Sequence, residues 1–119
     1  MFGKLEKHPA VVHFLQLLET DSDLHTIPLC SIARRLGVST SHLQHLVRRE
    51  LGTTCRQLIR MKCVERLSRS LQEHPEQTIA EIAYRHGCEP QTMYRYFTAV
   101  LGVNPSTVRR SELNSPRRN

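Results

Sequence analysis

The 119-residue chain has no tryptophan, 5% aromatic residues, five glycines and six prolines. So little glycine and proline excludes collagen-like and low-complexity architectures. No stretch approaches the roughly 20 apolar residues that span a bilayer. The most apolar N-terminal piece, Ala10 to Leu18, is interrupted by His13 and Gln16, and no small-residue cleavage pattern follows it. The four cysteines, Cys30, Cys55, Cys63 and Cys88, form no C-x-x-C pair. They read as reduced, mostly packed thiols of a cytoplasmic protein. Cys55 and Cys63 would be redox sensors only if exposed and with lowered pKa values. His42 and His45 stand at i, i+3, but no paired cysteines accompany them, so no metal is expected. No nucleophile elbow and no glycine-rich phosphate loop occurs, so neither an enzyme nor a cofactor is expected.

Acids are the other shortage. Lys and Arg number 17 against 11 Asp and Glu, a net charge of +6 and a pI near 9.6. The excess is local. From Cys30 to Ser70 there are nine basic residues (Arg34, Arg35, Arg48, Arg49, Arg56, Arg60, Lys62, Arg66, Arg69) and two acids (Glu50, Glu65), or +7. Such a concentration points to an anionic partner and to strongly salt-dependent binding. A helix shows its charges on several sides, so some of these are plain solvated charge.

What the chain does have is a repeat. Written beside itself at a shift of 50 residues, with no gap, Ile32 meets Ile82, Ala33 meets Ala83, Arg35 meets Arg85 and Gly37 meets Gly87. Leu43 then meets Met93, Val47 meets Phe97, Leu51 meets Leu101 and Gly52 meets Gly102. The packing positions persist while most polar ones change, which describes one structural unit used twice on different targets. In each copy a short helix ends at a glycine able to take the left-handed conformation. A second helix follows, capped in the first copy by Ser39 or Thr40 and opened in the second by Pro90. Leu43, Leu46, Val47 and Leu51 form its apolar stripe in one copy, and Met93, Phe97 and Leu101 in the other. Cys88 takes the packing slot of Val38. Such a helix pair places its second helix in a major groove.

The fold class expected is all-α: two helix-turn-helix subdomains, residues 10–53 and 73–112, joined by a long linker helix at 54–72, with about seven helices in all. Ala10 to Glu19 supplies an N-terminal helix with Val11, Phe14, Leu15 and Leu18 inward, followed by a polar connection from Thr20 to Pro28. The linker carries Leu58, Ile59, Val64, Leu67 and Leu71 on one face. Its length of about 28 Å, at roughly 1.5 Å per residue, compares with about 34 Å between successive major-groove segments on one face of DNA. A last short helix starts at Pro105, and residues 113–119 form a disordered basic tail.

These motifs resemble the AraC/XylS transcription regulators: Ser31-Ile-Ala-Arg-Arg-Leu-Gly-Val-Ser-Thr-Ser-His-Leu, Glu50-Leu-Gly, Thr78-Ile-Ala-Glu-Ile-Ala-Tyr-Arg-His-Gly and Leu101-Gly-Val-Asn-Pro. The resemblance covers about residues 10–111 and implies a bacterial, nucleoid-associated regulator, more often an activator. At this length it implies the stand-alone size class, binding double-stranded DNA as a monomer rather than a dimer, with RNA polymerase as a further partner. The chain departs from the family pattern at His45 (usually Arg), at Val47 and Cys88 (usually Phe), and at Thr98 (usually Lys). Its second turn is one residue shorter than the family's. These departures bear on sequence preference and on the phosphate grip of the second copy.

Within the repeat, Ser41, Gln44, His45 and Arg48 share a helix face away from the apolar stripe. Gln44 can pair with adenine, His45 can donate to guanine and Ser41 can bond several bases. The equivalent base-reading residues of the second copy are Gln91, Tyr94 and Arg95, with Arg95 suited to guanine. Thr40, Arg48, Arg49 and Thr92 are the candidate phosphate contacts. The competing reading is a solvated polar face, with Arg95 in a surface salt bridge to Glu89 or Glu81 and Tyr94 packed across its helix pair. A regulator that binds RNA polymerase or another transcription factor, with weak DNA affinity, is the alternative function.

Overall fold

The computed structural model describes residues 7–114, with side chains through residue 110. Among these residues there are seven α-helices, one short 3-10 turn and no strand. They form two compact units, and the boundary between Ile59 and Arg60 falls inside the long linker helix. Residues 115–119 of the expected tail lie outside the described residues.

The first unit begins with α1 (Pro9–Thr20). His8 caps it, its Nδ1 accepting the amide of Ala10 at 3.0 Å, and proline fills the first helical position. Ala10, Val11, Phe14 and Leu18 are buried, while Leu15 is half-buried. The connection expected to be polar contains a 3-10 turn, Leu24–Thr26, whose Leu24 is 2% exposed and belongs to the core. α2 (Leu29–Arg35) buries Ile32 and Ala33. Gly37 then takes φ +78°, and the amide of Val38 reaches back to the Ala33 carbonyl at 3.1 Å. This left-handed residue releases the chain sharply into α3 (Thr40–Leu51). Ser39 is the cap, accepting the amide of His42 at 3.0 Å, so Thr40 is the first helical residue. Leu43, Leu46 and Val47 of α3 and Cys55 at the start of α4 (Cys55–Glu73) close this core over Phe14 and Ile32.

The second unit takes the rest of α4, whose Cys63, Val64, Leu67 and Leu71 are buried. α5 (Ile79–Arg85) opens with a full capping box: Thr78 Oγ1 accepts the amide of Glu81 at 3.0 Å, and Glu81 Oε1 accepts that of Thr78 at 2.8 Å. Gly87, at φ +70°, turns the chain into α6 (Pro90–Leu101), and the amide of Cys88 bonds the Ala83 carbonyl at 2.9 Å. α7 (Pro105–Asn114) packs on α6. Its Arg109 donates to the carbonyls of Leu71 and His74, at 3.4 and 3.0 Å, and so holds the C-terminal end of α4. Ile82, Ala83, Cys88, Met93 and Phe97 complete the core. Each large apolar side chain buried this completely contributes about 1.5–3 kcal/mol.

The repeat is expressed in the helix bounds themselves. α2 and α5 both cover seven residues, α3 and α6 both cover twelve, and each pair starts 50 positions apart. The register continues past Gly52 and Gly102. Thr54 Oγ1 accepts the amide of Gln57 at 3.0 Å, and Asn104 Oδ1 accepts that of Thr107 at 2.9 Å, so α4 and α7 are capped at matching positions. One expectation needs correction. Leu101 is 47% exposed rather than part of the α6 stripe. The third inward position of α6 is Tyr96, half-buried against the second core, in the slot that Leu46 fills in α3.

Candidate nucleic-acid interface

The face of α3 opposite Leu43, Leu46 and Val47 presents Ser41, Gln44, His45, Arg48 and Arg49, all exposed, with Thr40 half-buried beside them. Ser41, Gln44 and His45 have no side-chain partner among the described residues, so their donors and acceptors face solvent in the free chain. Arg49 lies 3.7 Å from Glu50, whose other oxygen accepts the amide of His8 at 3.0 Å. Arg48 has no such acid.

α6 presents Gln91, Tyr94 and Arg95 at the equivalent exposed positions, with Thr92 half-buried. Tyr94 is 39% exposed. The guanidinium of Arg95 donates to Thr92 Oγ1 at 3.3 Å and meets no carboxylate among the described residues. Glu81, one acid weighed as its partner, is held in the capping box. Proline at the first helical position removes one amide from the start of α6, and Glu89 supplies no side-chain cap.

Several of the basic residues between Cys30 and Ser70 have partners and others do not. Arg35 pairs with Asp21 at 3.2 Å, and Lys62 and Arg69 share Glu65 at 3.0 and 3.7 Å. The Arg60 guanidinium lies 6.0 Å from the centre of the Tyr96 ring. Arg34, Arg48 and Arg56 carry their charge without a partner among the described residues. Arg48 and Arg56 line one groove of about 400 Å3 with Leu29, Gln44, Thr54 and Cys55. Sequence reading counted Arg56 among the charges but could not choose its side of the linker helix; the signal it lacked was the burial of Cys55, which fixes the rotation of the first turn of α4.

The thiols do not meet the condition set for redox sensors. Cys55 is 1% exposed, and burial pushes its pKa up to about 11. Cys63 is buried and hydrogen-bonded to Cys88, which together with burial holds it well above the ordinary thiol range. The same hydrogen bond draws Cys88 down, against the opposing effect of its own burial. Cys88 occupies its packing slot as expected. Among the described residues, no group of three or more His, Cys, Asp or Glu could hold a metal ion, and no helix is long and apolar enough to cross a membrane.

Comparison with known proteins places this arrangement in context. The profile of a family described as "Helix-turn-helix domain" matches residues 32–111. Among solved structures, the chain is similar to the C-terminal domain of AraT, a response regulator from Geobacillus stearothermophilus. That similarity has a TM-score of 0.80 and 27% sequence identity, and covers 92% of this chain and 90% of that one. Nothing among curated proteins matches.

Proposed function

The chain belongs to the AraC-type helix-turn-helix family and is a non-enzymatic, DNA-binding transcription regulator; from that footing we propose that it reads a specific duplex sequence with α3 and α6, each in a major-groove segment. One observation carries this reading. Two helices of identical length and register expose residues at the same three positions, and those residues differ: Ser41, Gln44 and His45 on one, Gln91, Tyr94 and Arg95 on the other. Equal backbones with unequal polar edges fit two different base sequences.

In this proposal Gln44 pairs with adenine, and Ser41 and His45 bond neighbouring base edges. Arg95 reads guanine through its planar fork, worth roughly 1–3 kcal/mol of discrimination, with Gln91 and Tyr94 flanking it. Thr40, Arg48, Arg49 and Thr92 bond phosphates and set the register. The two segments are successive turns of one DNA face, which suits a monomer on an asymmetric site. We further propose activation, through contact with RNA polymerase, as the mode of regulation. The absence of any basic residue in the last turn of α6 favours one second reading, a regulator that acts mainly by binding protein.

Selection of bound sequences from a random duplex library at near-physiological salt separates them. The expected result is a site of two short boxes about one helical turn apart, with Gln44→Ala relaxing one box and Arg95→Ala the other. A single box would leave only one unit reading bases. No enrichment would overturn the DNA-reading mechanism in favour of protein binding.

A further inference from the structure

Arg48 stands in the last turn of α3 and Arg56 in the first turn of α4, and both line the groove that also holds Gln44 and Thr54. Neither guanidinium has a hydrogen bond or ion pair among the described residues. The one acid close in sequence, Glu50, is already shared between the His8 amide and Arg49. Cys55, also in the groove, is a buried thiol held neutral by burial at ordinary pH, so it adds no counter-charge. Nor is the end of α4 itself the attraction, because the Thr54 hydroxyl already takes the amide of Gln57. Two arginines directed at one groove without an acid repel each other, and an anion between them relieves that repulsion.

We infer that Arg56 is a further DNA contact, closing with Arg48 on a single backbone phosphate beside the bases that α3 reads. The inference rests on the proposed function, which seats α3 in the major groove. The choice of anion follows from the shared lining: Gln44 belongs both to this groove and to the base-reading face, so the anion here borders the bases read by α3. A guanidinium presents parallel N–H donors that match the oxygens of a phosphodiester. The clamp belongs to the first unit alone, since the positions 50 residues on from Arg48 and Arg56 are Thr98 and Ser106.

The test uses the duplex selected by the wild-type chain. Binding is measured from low to high salt for wild type, Arg56→Gln, Arg56→Lys and Arg69→Gln, the last removing a charge that Glu65 already holds. Arg56→Gln is expected to weaken binding roughly tenfold, with the selected sequence unchanged and the slope of log K against log salt shallower by about 0.9. Arg56→Lys recovers the slope but only part of the affinity, and Arg69→Gln leaves both near wild type. The duplex is then remade with one methylphosphonate at a time. Wild type loses affinity at one particular position beside the box of α3, and Arg56→Gln loses little more there. Thermal melting of each variant reports folding, and exposed Arg56 makes no contact whose loss would lower it. If wild type binds its site while Arg56→Gln keeps the full slope and the full methylphosphonate pattern, the clamp is overturned and the two-helix reading stands. If wild type selects no duplex at all, both fall together.

Discussion

At the end of α2 the chain places Leu36, and at the same position of α5 it places His86, whose Nε2 lies 2.7 Å from the hydroxyl of Ser70. The next packing slot holds Val38 in one unit and Cys88 in the other, and the thiol of Cys88, a free cysteine, is hydrogen-bonded to that of Cys63. Capping is exchanged as well. In the first unit α3 has a side-chain cap and α2 has none. In the second the preceding helix α5 has a capping box, and α6 has no side-chain cap. The first unit thus has a firmly capped α3 and apolar residues, Leu36 and Val38, at these two slots. The second has no side-chain cap on α6 and polar pairs, Ser70–His86 and Cys63–Cys88, at the same slots. Charge follows the same division, because α3 ends in Arg48 and Arg49 where α6 ends in Thr98 and Ala99.

The largest test of this comparison concerns whether the two cores are separate. Val47 and Phe97 occupy one slot of the repeat, both 0% exposed, and they belong to clusters with no residue in common. Phe97→Ala is expected to cost about 3–5 kcal/mol. Val47→Ala costs less, because two methyl groups leave instead of a ring. Hydrogen exchange should show Phe97→Ala stripping protection from α5 and α6 well before α2 and α3. Equal loss in all four helices would mean that the two cores unfold as one.

The Ser70–His86 pair can be broken or made apolar like its counterpart. Ser70 is 8% exposed and turned into the second core, where Ser70→Ala deprives the imidazole of a partner at a cost of about 1 kcal/mol. Ser70→Ala together with His86→Leu gives this unit the leucine of the other, and should recover most of that loss in denaturant unfolding. A double variant as unstable as the sum of its singles would show that the two residues act independently. A smaller effect is expected from Glu89→Ser, which provides α6 with the kind of cap that Ser39 gives α3. The gain should be about 0.5 kcal/mol, less than a full cap because Glu89 already places a negative charge near the helix start. Thermal melting of Glu89→Ser beside Ser39→Ala, which should lose about 1 kcal/mol, measures both halves of the exchange.

The sequence made the repeated frame legible because its signals are local. Gly37 and Gly87 mark the turns, and the apolar spacing after each one sets the buried face of the following helix. It failed where a neighbour outside the repeat decides. Leu51 and Leu101 match in register, yet Leu51 is half-buried against the first core while Leu101 is exposed. α3 is covered by α1 and α6 by α7, and α1 and α7 have no common pattern. Leu24 is the converse case, an apolar residue flanked by Asp23 and His25 that the 3-10 turn carries into the core. Tyr96 was passed over because its polar hydroxyl keeps it out of the apolar spacing that marks Met93 and Phe97. Of the candidate site, the exposed positions could be read from helical spacing. Which arginines stay unpaired could be read in part, since Glu65 stands at i,i+4 from Arg69 in α4, but not for Arg35, whose acid, Asp21, arrives from the end of another helix.

The smallest effect tests whether the second unit lacks only a phosphate grip. Thr98 is exposed in the last turn of α6, at the position that Arg48 holds in α3. Thr98→Lys places a cation there without touching Gln91, Tyr94 or Arg95. If α6 already sits in its groove, the lysine should reach a phosphate and steepen the slope of log K against log salt by up to about 0.9. The selected sequence should not change, since a phosphate contact carries no base information. A lysine near a helix C-terminus is also favourable to the fold, by about 0.3–1 kcal/mol at low salt, so melting has to be measured alongside binding. A steeper slope with an unchanged site would mean that the two units differ in grip and not in seating. An unchanged slope in a chain that melts no lower would mean that the end of α6 stands away from the DNA backbone, and that the second unit holds its bases by the N-terminal half of the helix alone.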